Sequence, residues 1–343
     1  MRQAFLRAIC VAVGVAGFSS SARAETYPSL STFGPRPSLE ANGGIVLERL
    51  VPNERWAFDA GLWAMYGWNV VTLPKVTPVV PVINARLASV ATANLGLARW
   101  LGVGVSVPLV LAQSGNYGLG SGVVAGGQVP TSALGDIGVH MKYTPFSNEN
   151  GGYGLALLGI ATLPTGDRAS FIGEGAMTAG ARVIGDVSFI VASIQASVGF
   201  MGRPNPRTWP NPQKLGSLRY GSEIPWSLGV LVHPSIVSRH VDKANRHTIE
   251  VALRGSVPAY PAAPFSSGSL PLSAASILTA DHIVLGHGLV LSVGVDFSLI
   301  AVPTAQLPAF SAFLGLRWGA QRRAPEKDLP PDLKSIPKIE DPG

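Results

Sequence analysis

Charge is scarce in this chain. Asp, Glu, Lys and Arg make up 13% of its 343 residues, against roughly 25% in ordinary soluble domains. Cysteine is scarcer: Cys10 is the only one. It lies in the N-terminal apolar run, so the chain beyond it has no disulfide, thiolate nucleophile or cysteine metal site. Long hydrophobic runs are also missing. Outside the N-terminus none approaches the ~20 residues of a transmembrane helix. There is no G-x-S-x-G, no H-E-x-x-H, no P-loop and no G-x-G-x-x-G between a strand and a helix. The chain therefore reads as non-enzymatic, and nothing in it implies a cofactor. No basic stripe interleaved with aromatics is present, so nucleic acid is not an expected partner.

The first residues, MRQAFLRAICVAVGVAGFSSSARAE, have the form of a secretory signal peptide. Arg2 and Arg7 form a positive head, Ile9–Phe18 an apolar run, and Ala22-Arg23-Ala24 a cleavage site. Cleavage is expected after Ala24. Ile9 before Cys10 is not the small residue a lipoprotein signal needs. Losing Arg2, Arg7 and Arg23 with the leader takes the formal net charge from +6 to +3. Gly (40) and Pro (28) are plentiful, but Val, Ile and Leu are too common for a disordered chain. A secreted, apolar, poorly charged chain without helical spans favours a closed β-barrel, the other structure that satisfies its backbone in lipid.

The stretch Arg55–Trp68, RWAFDAGLWAMYGW, shows the pattern best. Trp56, Phe58, Ala60, Leu62, Ala64, Tyr66 and Trp68 share one parity, while Arg55 and Asp59 fall on the other. Strand side chains alternate between faces, so one face is apolar with aromatics at both ends. That is the form of a strand crossing a bilayer between two aromatic girdles. A half-buried strand of a soluble sandwich would share the alternation.

Similar rows recur along the chain. They run through Ile83–Leu97, Leu101–Leu111, Asp136–Tyr143, Tyr153–Leu163, a hairpin of Ala176–Ile184 and Val187–Phe200 around Gly185-Asp186, Tyr220–Val230, Thr248–Val257, Leu272–Val284, Leu289–Phe297 and Phe310–Trp318. The expected fold is all-β: a transmembrane antiparallel up-and-down barrel of about 12 strands. Connections near Arg99, Asn148, Gly185 and Gly286 are short, and those near Pro74, Gly120, Gly166, Pro210 and Pro264 are longer. Short periplasmic turns and long outer loops would give this asymmetry. The His233–Arg246 connection is long for that scheme. The expected organisation is a signal peptide (1–24), a periplasmic lead-in (25–53) with a possible short strand at Ile45–Leu50, a barrel (54–319) and a Pro- and charge-rich disordered tail (320–343). Both termini would face the periplasm of an outer membrane.

Charges opposite the apolar rows are the candidate lumen lining: Arg55, Asp59, Arg86, Asp136, Lys142, Arg182, Glu223, Glu250, Arg254 and Asp296. Both signs are present, so they can fill the interior as ion pairs or line a narrow wet path. At twelve strands a filled or nearly closed lumen is the default. The aromatic girdle is expected from Trp56, Tyr66, Trp68, Tyr143, Tyr153, Tyr220, Trp226 and Trp318. His233, His240 and His247 are evenly spaced, but they share their segment with Arg239, Lys243 and Arg246, which favours solvated residues over a metal site. His282 and His287 flank a turn and read the same way. Asp167 and Glu174 share a polar loop. No histidine falls on an apolar row, which argues against a hydrolase built on the outer wall.

Three stretches carry a family resemblance: GDIGVHMKY (Gly135–Tyr143), LPTGDRASFIGEG (Leu163–Gly175) and AFLGLRW (Ala312–Trp318). Together they resemble the N-terminal barrel of OmpA-family outer-membrane proteins of myxobacterial type. They are also similar to barrel proteins associated with phenol degradation. The resemblance implies insertion by the barrel-assembly machinery and contact with outer-membrane lipid and lipopolysaccharide. Relatives of the first kind continue into a peptidoglycan-binding domain that the sequence to Gly343 does not contain. The expected function is a structural or surface role, or limited passage of small solutes through a charged lumen. The alternatives are a channel for small hydrophobic compounds and a secreted soluble β-sandwich binding protein.

Overall fold

In the computed structural model of the protein, the described residues are 37–38, 43–48, 50, 55–72, 81–115, 129–147, 152–167, 170, 172–189, 192–203, 207–209, 218–220, 222–234, 246–259, 274–300 and 308–319. The leader, the tail from 320, His240 and the side chain of Tyr220 lie outside them.

The strands in chain order are β1 (Phe58–Thr72), β2 (Pro81–Ala98), β3 (Leu101–Gly115), β4 (Ala133–Leu134), β5 (Ile137–Phe146), β6 (Gly152–Leu163), β7 (Thr178–Ser188), β8 (Ala192–Gly202), β9 (Arg207–Trp209), β10 (Leu218–Tyr220), β11 (Glu223–Val232), β12 (His247–Pro258), β13 (Ala274–Gly286), β14 (Leu289–Ile300) and β15 (Phe310–Gly319). Three are accessory: β4 adds to β3, and β9 pairs with β10. The other twelve form the wall, each antiparallel to its sequence neighbours. The first and last close the ring, from Asp59 opposite Gly319 to Trp68 opposite Phe310. The fold is thus a closed antiparallel up-and-down barrel of twelve strands. A closed wall has no free edge, which is what separates it from a sandwich.

Period-two alternation decides which residues face out. On β1, Phe58, Leu62, Tyr66 and Trp68 are exposed, whereas Asp59, Trp63 and Met65 are buried. On β5, Val139, Met141 and Tyr143 are exposed against buried His140 and Lys142. Aromatics cluster toward both rims. Phe58 meets Trp318 at 6.3 Å and Trp100 meets Tyr143 edge-on at 5.6 Å. At the opposite rim Phe297 meets Phe310 at 5.2 Å. From Phe58 to Trp68 is about 34 Å along the strand at ~3.4 Å per residue, or about 26 Å of height at a ~40° tilt.

Local details depart from the expected pattern. The first strand begins at Phe58, not Arg55. Trp56 turns the chain into it at φ 66°, and the exposed Arg55 guanidinium stacks on its ring at 5.6 Å. Arg55 is therefore a rim residue and not a lumen charge. Gly185 and Asp186 lie inside β7 opposite Ala196 and Gln195, and the β7–β8 turn follows Ser188, closed by the Phe189 N–H to Ala192 O bond of 2.7 Å. Longer strands place the turn three residues later than the Gly-Asp signal suggests. Alternation predicts Ile83 on the apolar row and Asn84 on the polar side opposite; a register shift at Ile83/Ala85 instead turns Ile83 inward and leaves Asn84 exposed.

Candidate functional site

The lumen is not filled by the wall alone. The described part of the N-terminal segment, residues 37–38, 43–48 and 50, lies inside it. Ile45 packs with Trp63, Met65, Val90, Leu278 and Phe313; Leu47 with Leu231 and Ala252; Leu50 with Ala156, Leu158, Ile184 and Met201. These clusters draw on β1, β2, β6–β8, β11–β13 and β15, so the segment crosses the interior as a plug. This revises the expected lead-in: residues 45–48 and 50 are in no strand, and all of them but the half-buried Val46 are buried within the barrel.

The wall is hollowed where the plug's side chains fall. A Cβ on Gly294 would come within 3.0 Å of Ile45 Cδ1, one on Gly229 within 2.9 Å of Leu47 Cδ1, and one on Gly154 within 3.0 Å of Leu50 Cβ. Each of the three aliphatic anchors thus lies over a lumen-facing glycine. Gly315 does the same for Trp63, whose indole occupies the space a Cβ would take.

Polar contacts fix the plug's backbone. Glu250, fully buried on β12, accepts three successive N–H groups, from Ile45 at 2.5 Å, Val46 at 3.0 Å and Leu47 at 3.0 Å. Consecutive amides converging on a carboxylate form an anion nest, and such charge-assisted bonds are stronger than neutral ones. Gln195 on β8 clasps Glu48 from both sides: its Oε1 accepts the Glu48 N–H at 2.8 Å, and its amide donates to the Glu48 carbonyl. The Glu48 carboxylate accepts from Ser38 Oγ at 2.8 Å and lies 4.0 Å from Lys142 Nζ. Arg317 on β15 donates to the Gly43 carbonyl.

The groups that hold the plug are themselves held by the wall. His282 Nε2 is 2.9 Å from Glu250 Oε2, and its Nδ1 is 2.8 Å from Ser292 Oγ. Arg317 donates to Ser292 Oγ at 2.9 Å, reaches His282 Nδ1 at 3.2 Å, and stacks on Trp63 at 5.1 Å. A guanidinium has no acceptor, so its approach assigns Nδ1 as an acceptor and leaves Nε2–H to donate to Glu250.

At the Trp68 end of the barrel the loop between β6 and β7 folds into the lumen, with Ser170, Ile172 and Glu174 buried. Asp136 accepts the N–H groups of Gly166 at 2.8 Å and Glu174 at 2.6 Å, pinning both ends of that loop. Arg86 donates to the Ser170 carbonyl at 2.8 Å and to Gln113 Oε1 at 2.9 Å. Arg203 joins Glu174 and Glu223, each at 3.0 Å. A small cavity between loop and plug is bounded by Pro37, Ser106, His140, Thr162 and Ile172, with Ser106 Oγ 2.9 Å from His140 Nε2.

Of the expected lumen charges, Asp59, Arg86, Asp136, Lys142, Glu250 and Asp296 are buried, while Arg182, Glu223 and Arg254 are half-buried. Arg254 pairs with Asp296, and Asn94 Nδ2 is 3.3 Å from Asp59. Asp167 and Glu174 have separate partners: Ser170 Oγ donates to Asp167 at 2.5 Å, and Arg203 to Glu174. His282, expected to be a solvated turn residue, is buried in the Glu250 network because it shares the inward parity of Leu278 and Ala280 on β13. His233 meets Thr248 at 3.2 Å, and His287 is exposed at φ 52°. His247 corrects a further expectation: it opens β12 on the outward row, paired with Asp281 at 2.8 Å. Trp56, Tyr66, Trp68, Tyr143, Tyr153 and Trp318 are exposed, and Trp226 is half-buried. Arg317, Gln195, Trp63, His140 and Arg203 were not among the candidates, although strand parity points the first four inward.

No known protein family and no curated protein matches the sequence. Solved structures do match the fold. An outer-membrane channel from Pseudomonas putida F1 superposes with a TM-score of 0.55 at 11% identity, over 79% of this chain and 98% of that one. The NanC porin gives 0.46 at 8% identity over 76% and 99%. The Pseudomonas putida toluene transporter TodX gives 0.39 at 11% identity over 85% and 98%. The first likeness agrees with the barrel fold. The finer likeness to OmpA-family or phenol-pathway barrels remains a resemblance of sequence.

Proposed function

We propose that the protein is a non-enzymatic outer-membrane barrel that keeps a limited passage for small solutes closed with its own N-terminal segment. The observation that carries this reading is the plug, three aliphatic anchors in glycine hollows with its amides on Glu250. A filler needed only for stability would be supplied more simply by wall side chains, as in smaller barrels. The outward apolar rows and the two aromatic rims, about 26 Å apart, fit the ~25 Å apolar band of such proteins. In this reading Trp56 and Trp318 sit at the periplasmic interface, Trp68 at the outer one, and both termini are periplasmic. The wall faces lipid and lipopolysaccharide after insertion by the barrel-assembly machinery.

Ser292, His282 and Glu250 are connected like a nucleophile, base and acid. However, Ser292 is fully buried, Arg317 donates to it, and Glu250 is engaged by the plug. This supports a structural network over a hydrolase.

The test is a lock. A Cβ on Gly154 would lie 3.0 Å from Leu50 Cβ, about half an ångström inside the ~3.5–4.5 Å range of a disulfide, so residue 50 must shift outward by about that much for the bridge to form. Leu50→Cys with Gly154→Cys, in a chain carrying Cys10→Ser, should form a disulfide. In planar bilayers the oxidised protein should be silent and the reduced protein should conduct. Equal conductance in both states would reject the plug as the closing element. A second reading, passage of small hydrophobic compounds, is favoured by the apolar wall of Trp63, Met65, Val90, Leu278 and Phe313 around Ile45. It predicts that uptake of phenol, more than of a small sugar, depends on reduction.

A further inference from the structure

We propose that the lumen wall around Glu250 and Arg317 is a binding station for short apolar peptides, which the plug occupies as a built-in ligand. The proposal rests on the passage reading for access, since only a plug that leaves exposes the station.

What the plug presents there is generic peptide chemistry. Three successive N–H groups meet Glu250, one carbonyl meets Arg317, and branched aliphatic side chains fill the hollows at Gly294 and Gly229. None of these contacts requires that the peptide belong to the same chain. The wall supplies the complement: a two-oxygen acceptor, a guanidinium donor on the far side of an imidazole, and an apolar pocket floored by Trp63 and Leu278.

The wall also keeps these groups aimed without help from the plug. His282 orients the Glu250 carboxylate, and Ser292 and the Trp63 face orient Arg317. A latch that served only to hold one segment would need the contacts to that segment alone. Here a second layer of wall-to-wall bonds preorganises the receptor, as binding sites require. The chemistry selects solutes with an amine or amide donor, a carbonyl acceptor and an Ile- or Leu-like side chain. It disfavours solutes bearing only a carboxylate, which would set like charge against Glu250.

Displacement of the plug tests this directly. The full-length Leu50→Cys, Gly154→Cys, Cys10→Ser protein in detergent is oxidised with and without the dipeptide amide Ile-Val-NH2. Isocaproate, an aliphatic acid without N–H groups, serves as the matched control. A dipeptide at four times its apparent dissociation constant, measured with the plug competing, leaves about one fifth of the stations for the plug, so cross-linking should slow about fivefold. Isocaproate should have no effect. The slowing should disappear in Glu250→Gln and persist in Glu174→Gln, with heat-modifiable gel mobility confirming that each barrel is folded. If Glu250→Gln fails to fold, His282→Gln replaces it, with reduced slowing expected. Equal slowing by both compounds, or by neither, overturns the proposal and leaves a latch. Slowing by the dipeptide in a protein that never conducts upholds the station and overturns only the passage.

Discussion

Replacing Glu250 by Gln isolates the electrostatic part of the plug's attachment at constant shape. Oε1 accepts from Val46 and Leu47, and Oε2 accepts from Ile45 and His282. A Gln has one oxygen and one amide nitrogen. With its oxygen kept toward Val46 and Leu47, two charge-assisted bonds become neutral ones, and the Ile45 N–H and His282 Nε2–H face a donor. Arg317 at His282 Nδ1 resists a tautomer exchange that would relieve the second conflict. Weakened bonds and a buried unsatisfied donor together cost on the order of 3 kcal/mol. That displaces a two-state equilibrium by roughly 150-fold, so a plug absent one time in a thousand would be absent about one time in eight. Single-channel recording should show this as open probability, and the Leu50–Gly154 cysteine pair as a lower cross-linking yield. A folded Glu250→Gln barrel with wild-type values in both assays would refute the nest as the plug's main anchor.

Other perturbations separate lipid contact, steric fit and wall stability. Leu62 is 60% exposed on β1; Leu62→Arg should cost about 2–4 kcal/mol on refolding into bilayers if that face meets lipid, and almost nothing if it meets water. Gly154→Val, branched at Cβ and unable to bond to residue 50 as the cysteine of the lock does, should push out Leu50 and Asp186, whose atoms occupy the space, and raise conductance. Gly159→Ala, with only Met141 O at 3.7 Å, should leave conductance unchanged. Asp296→Ala removes the buried carboxylate facing Arg254; loss of one partner of such a pair costs about 3–5 kcal/mol, measurable as a lower heat-modification temperature.

The wall was legible because its code is local. Alternation in stretches such as Ile137–Tyr143 or Leu289–Phe297 needs no knowledge of the partner strand, and burial follows parity along β5 and β14. Errors arise where another local rule competes. Gly185-Asp186 is a good turn dipeptide, but pairing with β6 and β8 carries β7 through it. A bulge reverses Ile83 and Asn84. Arg55 falls off the lumen face because the strand starts three residues after it. Arg317 and His282 were within reach of the same parity rule, the first opposite Leu316 and Trp318 and the second inside the expected row Leu272–Val284. The plug was not legible. Its I-V-L run has the composition of a short strand, and the glycines and carboxylate that receive it are scattered over distant strands.

That scattering has a kinetic consequence. Ile45 and Glu250 are 205 residues apart, and Gly43 and Arg317 are 274 apart. The segment emerges first, yet its receptor is complete only when the final strand is laid down. Contacts of such separation form late, because chain entropy must be surrendered before they give anything back. Docking of residues 43–48 and 50 is therefore tied to the zipping of β1 onto β15. A barrel that closes with this segment left outside would be a distinct, kinetically trapped species, with Glu250 and Arg317 facing water in an unfilled lumen.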